Sequence, residues 1–75
     1  MNNNKFKRLS KLGNNLIKGN DVLYNSFAYK IEYSDLYNEY KNNEEFINLN
    51  KYVMDNLHFK SIKAFKNLDK LLSKL

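Results

Sequence analysis

No proline interrupts this chain of 75 residues, and glycine occurs only at Gly13 and Gly19. Proline and glycine punctuate loop-rich and all-β folds, so their scarcity leaves long stretches that suit helices. Cysteine is absent too, which excludes disulfides and thiolate metal sites. A chain of this length makes one domain, residues 1–75, with a small core and modest stability. Residues 1–4, with the run Asn2-Asn3-Asn4, are expected to be disordered.

Apolar periodicity supplies the elements. Phe6, Leu9, Leu12, Leu16 and Ile17 gather on one face of a helix over 5–18, with Gly19 as its stop. Asn20 or Asp21 is placed to cap the next helix, whose stripe is Leu23, Tyr24, Phe27, Ala28 and Ile31. The same region also reads as a half-buried strand, because Phe27, Tyr29, Ile31 and Tyr33 alternate with Ala28, Lys30 and Glu32. Helical flanks favour the helix. Ser34-Asp35 looks like a fresh N-terminus for a short helix through Lys41. Asn42 followed by Glu45 resembles a capping box for a helix over about 43–57 carrying Phe46, Leu49, Val53 and Leu57. In the final segment Ala64, Phe65, Leu68, Leu71, Leu72 and Leu75 share one face, with Lys60, Lys63, Lys66, Lys70 and Lys74 on an opposing arc of roughly 120°. The expected fold is therefore all-α, a small compact bundle of four to five short helices.

The stretch YVMDNLHFKSIKAFKNL, residues 52–68, fits the spacing of a helix-turn-helix-like pair. Val53 and Met54 would pack from the first helix. His58 would take the position where glycine is usual, Phe59 would plug the turn, and Ala64 and Leu68 would anchor the second helix. The stretch resembles the motif in pattern only. Glycine is missing, Met54 is bulkier than the usual alanine, and Ile62 would face solvent or DNA. The competing reading is a helix break followed by an amphipathic helix packed on the others.

Charge is unevenly distributed. Residues 1–20 hold five cations and no acid, residues 21–58 hold seven acids against three lysines, and residues 59–75 hold five lysines against Asp69. Basic ends flank an acidic middle, a layout suited to a polyanion surface built from both termini unless ends and middle neutralise each other. Twelve lysines and fourteen asparagines beside a single arginine match the coding bias of an AT-rich genome, such as that of a phage, a mobile element or an AT-rich bacterium.

Chemistry-bearing constellations are sparse. His58 is the sole histidine. Asp55 lies one turn before it, but a third metal ligand would have to come from distant Glu44 or Glu45. No glycine-rich loop is present to cradle phosphate, and the serines lack a neighbouring base. Catalysis, metal and cofactor are not expected.

Two binding functions follow. The first is a small basic nucleic-acid-binding regulator that uses Lys60, Ser61, Lys63, Lys66, Lys70 and Lys74, supported by Lys7, Arg8 and Lys11. Lysine suits phosphate contacts, and the lone arginine weighs against base-specific readout. The second is an inhibitor or adaptor of phage type that targets host nucleic-acid machinery. Its acidic, tyrosine-rich surface would comprise Tyr29, Tyr33, Tyr37, Tyr40, Glu32 and Glu39, since aromatics supply hot spots. The expected partner is thus nucleic acid or a nucleic-acid-associated protein. Homodimer formation through Phe65, Leu68, Leu72 and Leu75 is a further expectation. Membrane-surface binding is disfavoured by the absence of tryptophan and by the core's need for the same leucines. With no signal peptide and no apolar run long enough to span a bilayer, a cytoplasmic location is expected.

Overall fold

The computed structural model describes residues 4–74 and contains four helices and no strand among them. These are α1 (Asn4–Lys18), α2 (Val22–Tyr40), α3 (Glu44–Asp55) and α4 (Phe59–Ser73). None is long and apolar enough to cross a membrane. Asn4, expected in a disordered tail, already opens α1. Residues 1–3 lie outside the described residues.

α1 and α2 form an antiparallel hairpin, α4 packs along α2, and α3 packs on α1. The hairpin turn is a Schellman closure. Gly19 N–H donates to the Leu16 carbonyl and Asn20 N–H to the Asn15 carbonyl, at 3.3 and 2.9 Å. Gly19 sits at φ 77°, and a methyl there would stand 2.6 Å from Cγ of the His58 ring. Backbone geometry and space therefore both demand glycine. Asp21 does occupy the N-cap of α2, but its side chain makes no capping bond. Asn25 orders this loop instead, its Nδ2 donating to the carbonyls of Asn20 and Asp21 at 2.9 and 3.1 Å. At α3 the cap is Asn43 rather than the expected Asn42. Its Oδ1 accepts from Phe46 N–H at 3.1 Å, and Glu44 and Glu45 fill the first turn, where the helix dipole favours acids.

The largest departure from expectation is α2. It runs unbroken through Ser34 and Asp35 as one helix of 19 residues, which also settles the strand alternative over 27–33. The buried face is not the Leu23–Phe27–Ile31 stripe. Leu23 is 63% exposed, and Tyr24, Phe27 and Ile31 are about as open. The helix instead buries Asn25, Ser26, Ala28 and Tyr29, and packs Tyr33, Leu36 and Tyr40 against the core. The reason lies in the aromatic partners on the other helices. Phe6 meets Tyr40 edge-on at 5.0 Å, Phe46 stacks on Tyr33 at 5.0 Å, and Phe65 meets Tyr29 edge-on at 6.3 Å. Such pairs gain beyond the area they bury. That tertiary gain carries the helix through Ser34 and Asp35, whose side chains stay in solvent.

The rest of the core is Phe6, Leu9, Leu12 and Leu16 of α1 with Phe46 and Val53 of α3. Gly13 lets α1 approach α3, because a Cβ there would overlap the Val53 side chain. Tyr29, 2% exposed, donates its hydroxyl to Asn50 Oδ1 at 2.9 Å. Burial, reinforced by neighbouring Tyr33, pushes its phenol well above the ordinary value.

Gly13→Ala should destabilise the fold by about 1–3 kcal/mol through overpacking. In a denaturation cycle, Val53→Ala introduced alongside it should recover about 1 kcal/mol relative to the sum of the single changes. Additive effects would mean that the two helices do not meet at this point. The Tyr29 shift makes a second, alkaline prediction. The folded state holds the proton more tightly than the unfolded chain, so this contribution is complete below pH ~10 and is lost as pH rises beyond it. Tyr29→Phe should flatten the alkaline fall in melting temperature, measured against wild type from neutral pH upward.

Candidate nucleic-acid interface

The junction of α3 with α4 fixes where the lysines go. α3 ends at Asp55, and the link Asn56–His58 leads into α4. His58 is the N-cap of α4, extended at φ −63° and ψ 150°, and its Nδ1 accepts from Lys60 N–H at 3.1 Å. It therefore does not adopt the left-handed geometry expected of the turn residue. Phe59, expected to plug the turn, is 64% exposed. Val53 is buried as expected, whereas Met54 is partly exposed and Leu57 half-buried. α4 leans on α2, and an open cleft of about 360 Å³ separates it from α3, with Met54, Leu57, Ile62 and Phe65 in its walls.

What holds α4 in place is the C-terminal end of α1. The Leu16 carbonyl accepts from His58 N–H at 3.2 Å and from Ser61 Oγ at 2.6 Å. Ser61 is fully buried. Its expected part in reading nucleic acid is therefore corrected: the hydroxyl faces inward to clamp α4 onto α1. Ser61, Ala64 and Leu68 mark the buried face of the helix.

With that face inward, Lys60, Lys63, Lys66, Lys70 and Lys74 all stand in solvent. Among the described residues none of them has a carboxylate oxygen within 4.0 Å. Asp69, the one acid of α4, is occupied by Lys30 Nζ at 2.7 Å. That ammonium also lies 5.4 Å from the centre of the Phe65 ring. The acid is thus tied to the α2 side. The apolar stripe is shorter than expected: Leu71 and Leu72 are largely exposed, and Leu75 lies outside the described residues.

The basic residues of α1 form a separate group. Arg8 Nε is 3.5 Å from Glu32 Oε1, which draws that guanidinium toward α2. Lys7 and Lys11 border an open cleft of about 620 Å³ between α1 and α3, which Glu45 and Leu49 also line. Lys66, in the middle of the α4 array, borders the other cleft. Lys7 and Lys11 thus border a different cleft from the one that Lys66 lines.

The tyrosine surface is mostly interior. Tyr29 is core, and Tyr33 and Tyr40 are half-buried against Phe46. Glu32 is half-buried and engaged by Arg8. Only Tyr37 and Glu39 of that group are open to a partner. In place of those tyrosines, the structure adds Phe59 to the candidate residues. At 100° per residue it shares an azimuth with Lys63, Lys66 and Lys70. That spacing was readable in the sequence once the turn was placed before Phe59 and not around it.

Comparison of the chain with family models, curated proteins and solved structures found no match.

Ser61→Ala should cost about 0.5–1.5 kcal/mol by removing one buried hydrogen bond. For a domain of this size that lowers the melting temperature by several degrees. Any affinity carried by the lysine face should be unchanged at temperatures where the variant is folded. A fall in affinity without a fall in melting temperature would return Ser61 to the contact surface.

Proposed function

We propose that the protein is a small basic nucleic-acid-binding regulatory protein whose contact surface is the lysine face of α4. One observation carries the reading: five lysines on one helix, all exposed and, among the described residues, none within reach of a carboxylate. Charge left unpaired on one face raises the local potential and attracts polyanions, and the positive end of the helix dipole adds to it near Lys60. Each ammonium that meets a phosphate releases condensed counterions, which supplies sequence-independent affinity. α4 carries no arginine, so the bidentate guanine contact that specifies sequence most often is missing from this face. The protein would act by occupying nucleic acid, with α4 as a basic rod rather than as the recognition helix of a helix-turn-helix.

The inhibitor reading has less to support it, because the proposed tyrosine surface is largely spent on the core. Tyr37 and Glu39 alone make a small patch for a stable protein partner.

Titration of labelled nucleic acid at two salt concentrations tests the proposal. Contacts by four or five lysines predict a log–log salt slope of roughly −3 to −4.5. Between about 50 and 200 mM salt the affinity should fall on the order of a hundredfold. Lys63→Gln combined with Lys66→Gln should weaken binding and reduce the slope by about 1–2 without lowering the melting temperature. Absence of binding at low salt to both duplex and single strands would reject the reading.

A further inference from the structure

Among the described residues Phe59 is the most exposed of the large hydrophobic side chains, and it is the first residue of the helix that carries the lysines. Full burial of a phenylalanine is strongly stabilising, and here most of that gain is forgone. The ring is not loosely placed. The His58 imidazole packs against it at 4.5 Å between centroids, tilted by 31°. His58 is itself anchored twice, through its N–H to Leu16 and through Nδ1 to Lys60 N–H. An aromatic surface held this way loses little rotamer freedom when something stacks on it.

Its neighbours are cationic. Along α4, Ile62 lies three residues on, Lys63 four, Lys66 seven and Lys70 eleven, so all follow Phe59 at close to helical repeat. Helical side chains lean toward the N-terminus, which brings the Lys63 stem back over the turn that bears Phe59. Ile62, 42% exposed, adds an apolar shoulder next to the ring. From Lys60 to Lys74 the array covers roughly 20 Å of helix axis, enough for a few successive phosphates.

We propose that α4 binds single-stranded nucleic acid, with the phosphates on Lys60, Lys63, Lys66 and Lys70 and a base stacked on the open face of Phe59. This rests on the reading of α4 as the nucleic-acid surface and narrows its ligand. A cationic track with an interleaved aromatic is the arrangement that recognises unpaired strands, because every free base offers a π-face. In a duplex the bases are stacked on one another and an exposed ring on a convex rod has nothing to stack with. Lysine array and aromatic together therefore select the unpaired form, whereas lysines alone would not.

The test uses the full chain with labelled oligothymidine, oligouridine and a duplex of equal length, titrated at two salt concentrations. Wild type should bind one or both single strands more tightly than the duplex. Phe59→Ala should weaken strand binding roughly tenfold to a hundredfold, the worth of one stacked base, while leaving the salt slope and duplex affinity unchanged. Phe59→Leu, which keeps bulk and apolarity without a π-face, should behave like Phe59→Ala and guards against a folding artefact. Phe59→Trp should retain affinity, and as the chain's sole tryptophan its fluorescence should be quenched by either strand. Strand affinity within twofold of wild type in Phe59→Ala, or duplex bound as well as strands, overturns this inference and leaves the lysine surface standing. Binding of neither form overturns both.

Discussion

The arrangement of this molecule depends on a single carbonyl. A helix ends with acceptors that have no partner within the helix, and they must be satisfied elsewhere. At the end of α1 the Leu16 oxygen accepts from Gly19 N–H, His58 N–H and Ser61 Oγ. The first closes the local turn. The other two come from residues more than forty positions later and fix the start of α4 against the end of α1. Three donors on one oxygen, one of them a buried hydroxyl at 2.6 Å, convert an unavoidable helix-end cost into the contact that orients the last helix. Gly19 is required for the same reason: a side chain there would occupy the space of the His58 ring. Once Ser61 is turned inward, helical geometry sends Lys60, Lys63, Lys66, Lys70 and Lys74 outward with no further specification.

How much of this was legible in the sequence varies by helix. α1 and α3 were readable because each carries one apolar stripe and a marked end, Gly19 for α1 and, for α3, a capped acidic start that falls one residue later than read, at Asn43. α2 was not. Its apolar residues encircle it, so two stripes of similar hydrophobicity compete, Leu23–Phe27–Ile31 and Tyr29–Tyr33–Tyr40. Periodicity within α2 cannot choose between them. Phe6, Phe46 and Phe65 decide, and each lies on another helix. Ser34-Asp35 misled for a related reason: local side-chain capping competes with a helix only when burial along the opposite face does not hold it together.

At the candidate site, the lysine arc was legible because five residues at helical spacing leave little freedom. The roles of Ser61 and Phe59 were exchanged relative to expectation. Read as a turn-plugging residue, Phe59 goes inside and Ser61 outside. The cap at His58 starts the helix at Phe59, and that choice of start sets which residues of the first turn face inward. Nothing local marks the difference, because His58 can cap a helix or occupy a turn. The discriminating partner, the Leu16 carbonyl, is distant in the chain.

Charge segregation in the folded molecule is a consequence of which surfaces touch. The acidic centre could in principle have neutralised the basic ends, yet only three ion pairs form among the described residues. One of these, Lys51 with Asp55, is internal to α3 and exposed, and such pairs contribute little. α4 meets α2 on the side of the helix opposite its lysines, where Phe65 packs on Tyr29, so among the described residues no carboxylate of α2 pairs with them. Among the charged residues of α4 that are described, Asp69 alone, lying between the two faces, forms an ion pair, with Lys30 of α2. Apolar packing thus dictates the electrostatics: the seam that buries α4 is also what strands its ammonium groups in solvent. Mutual repulsion along that arc is a standing cost to the fold. A polyanion threaded along the arc would remove it, so the proposed binding would also stabilise the fold.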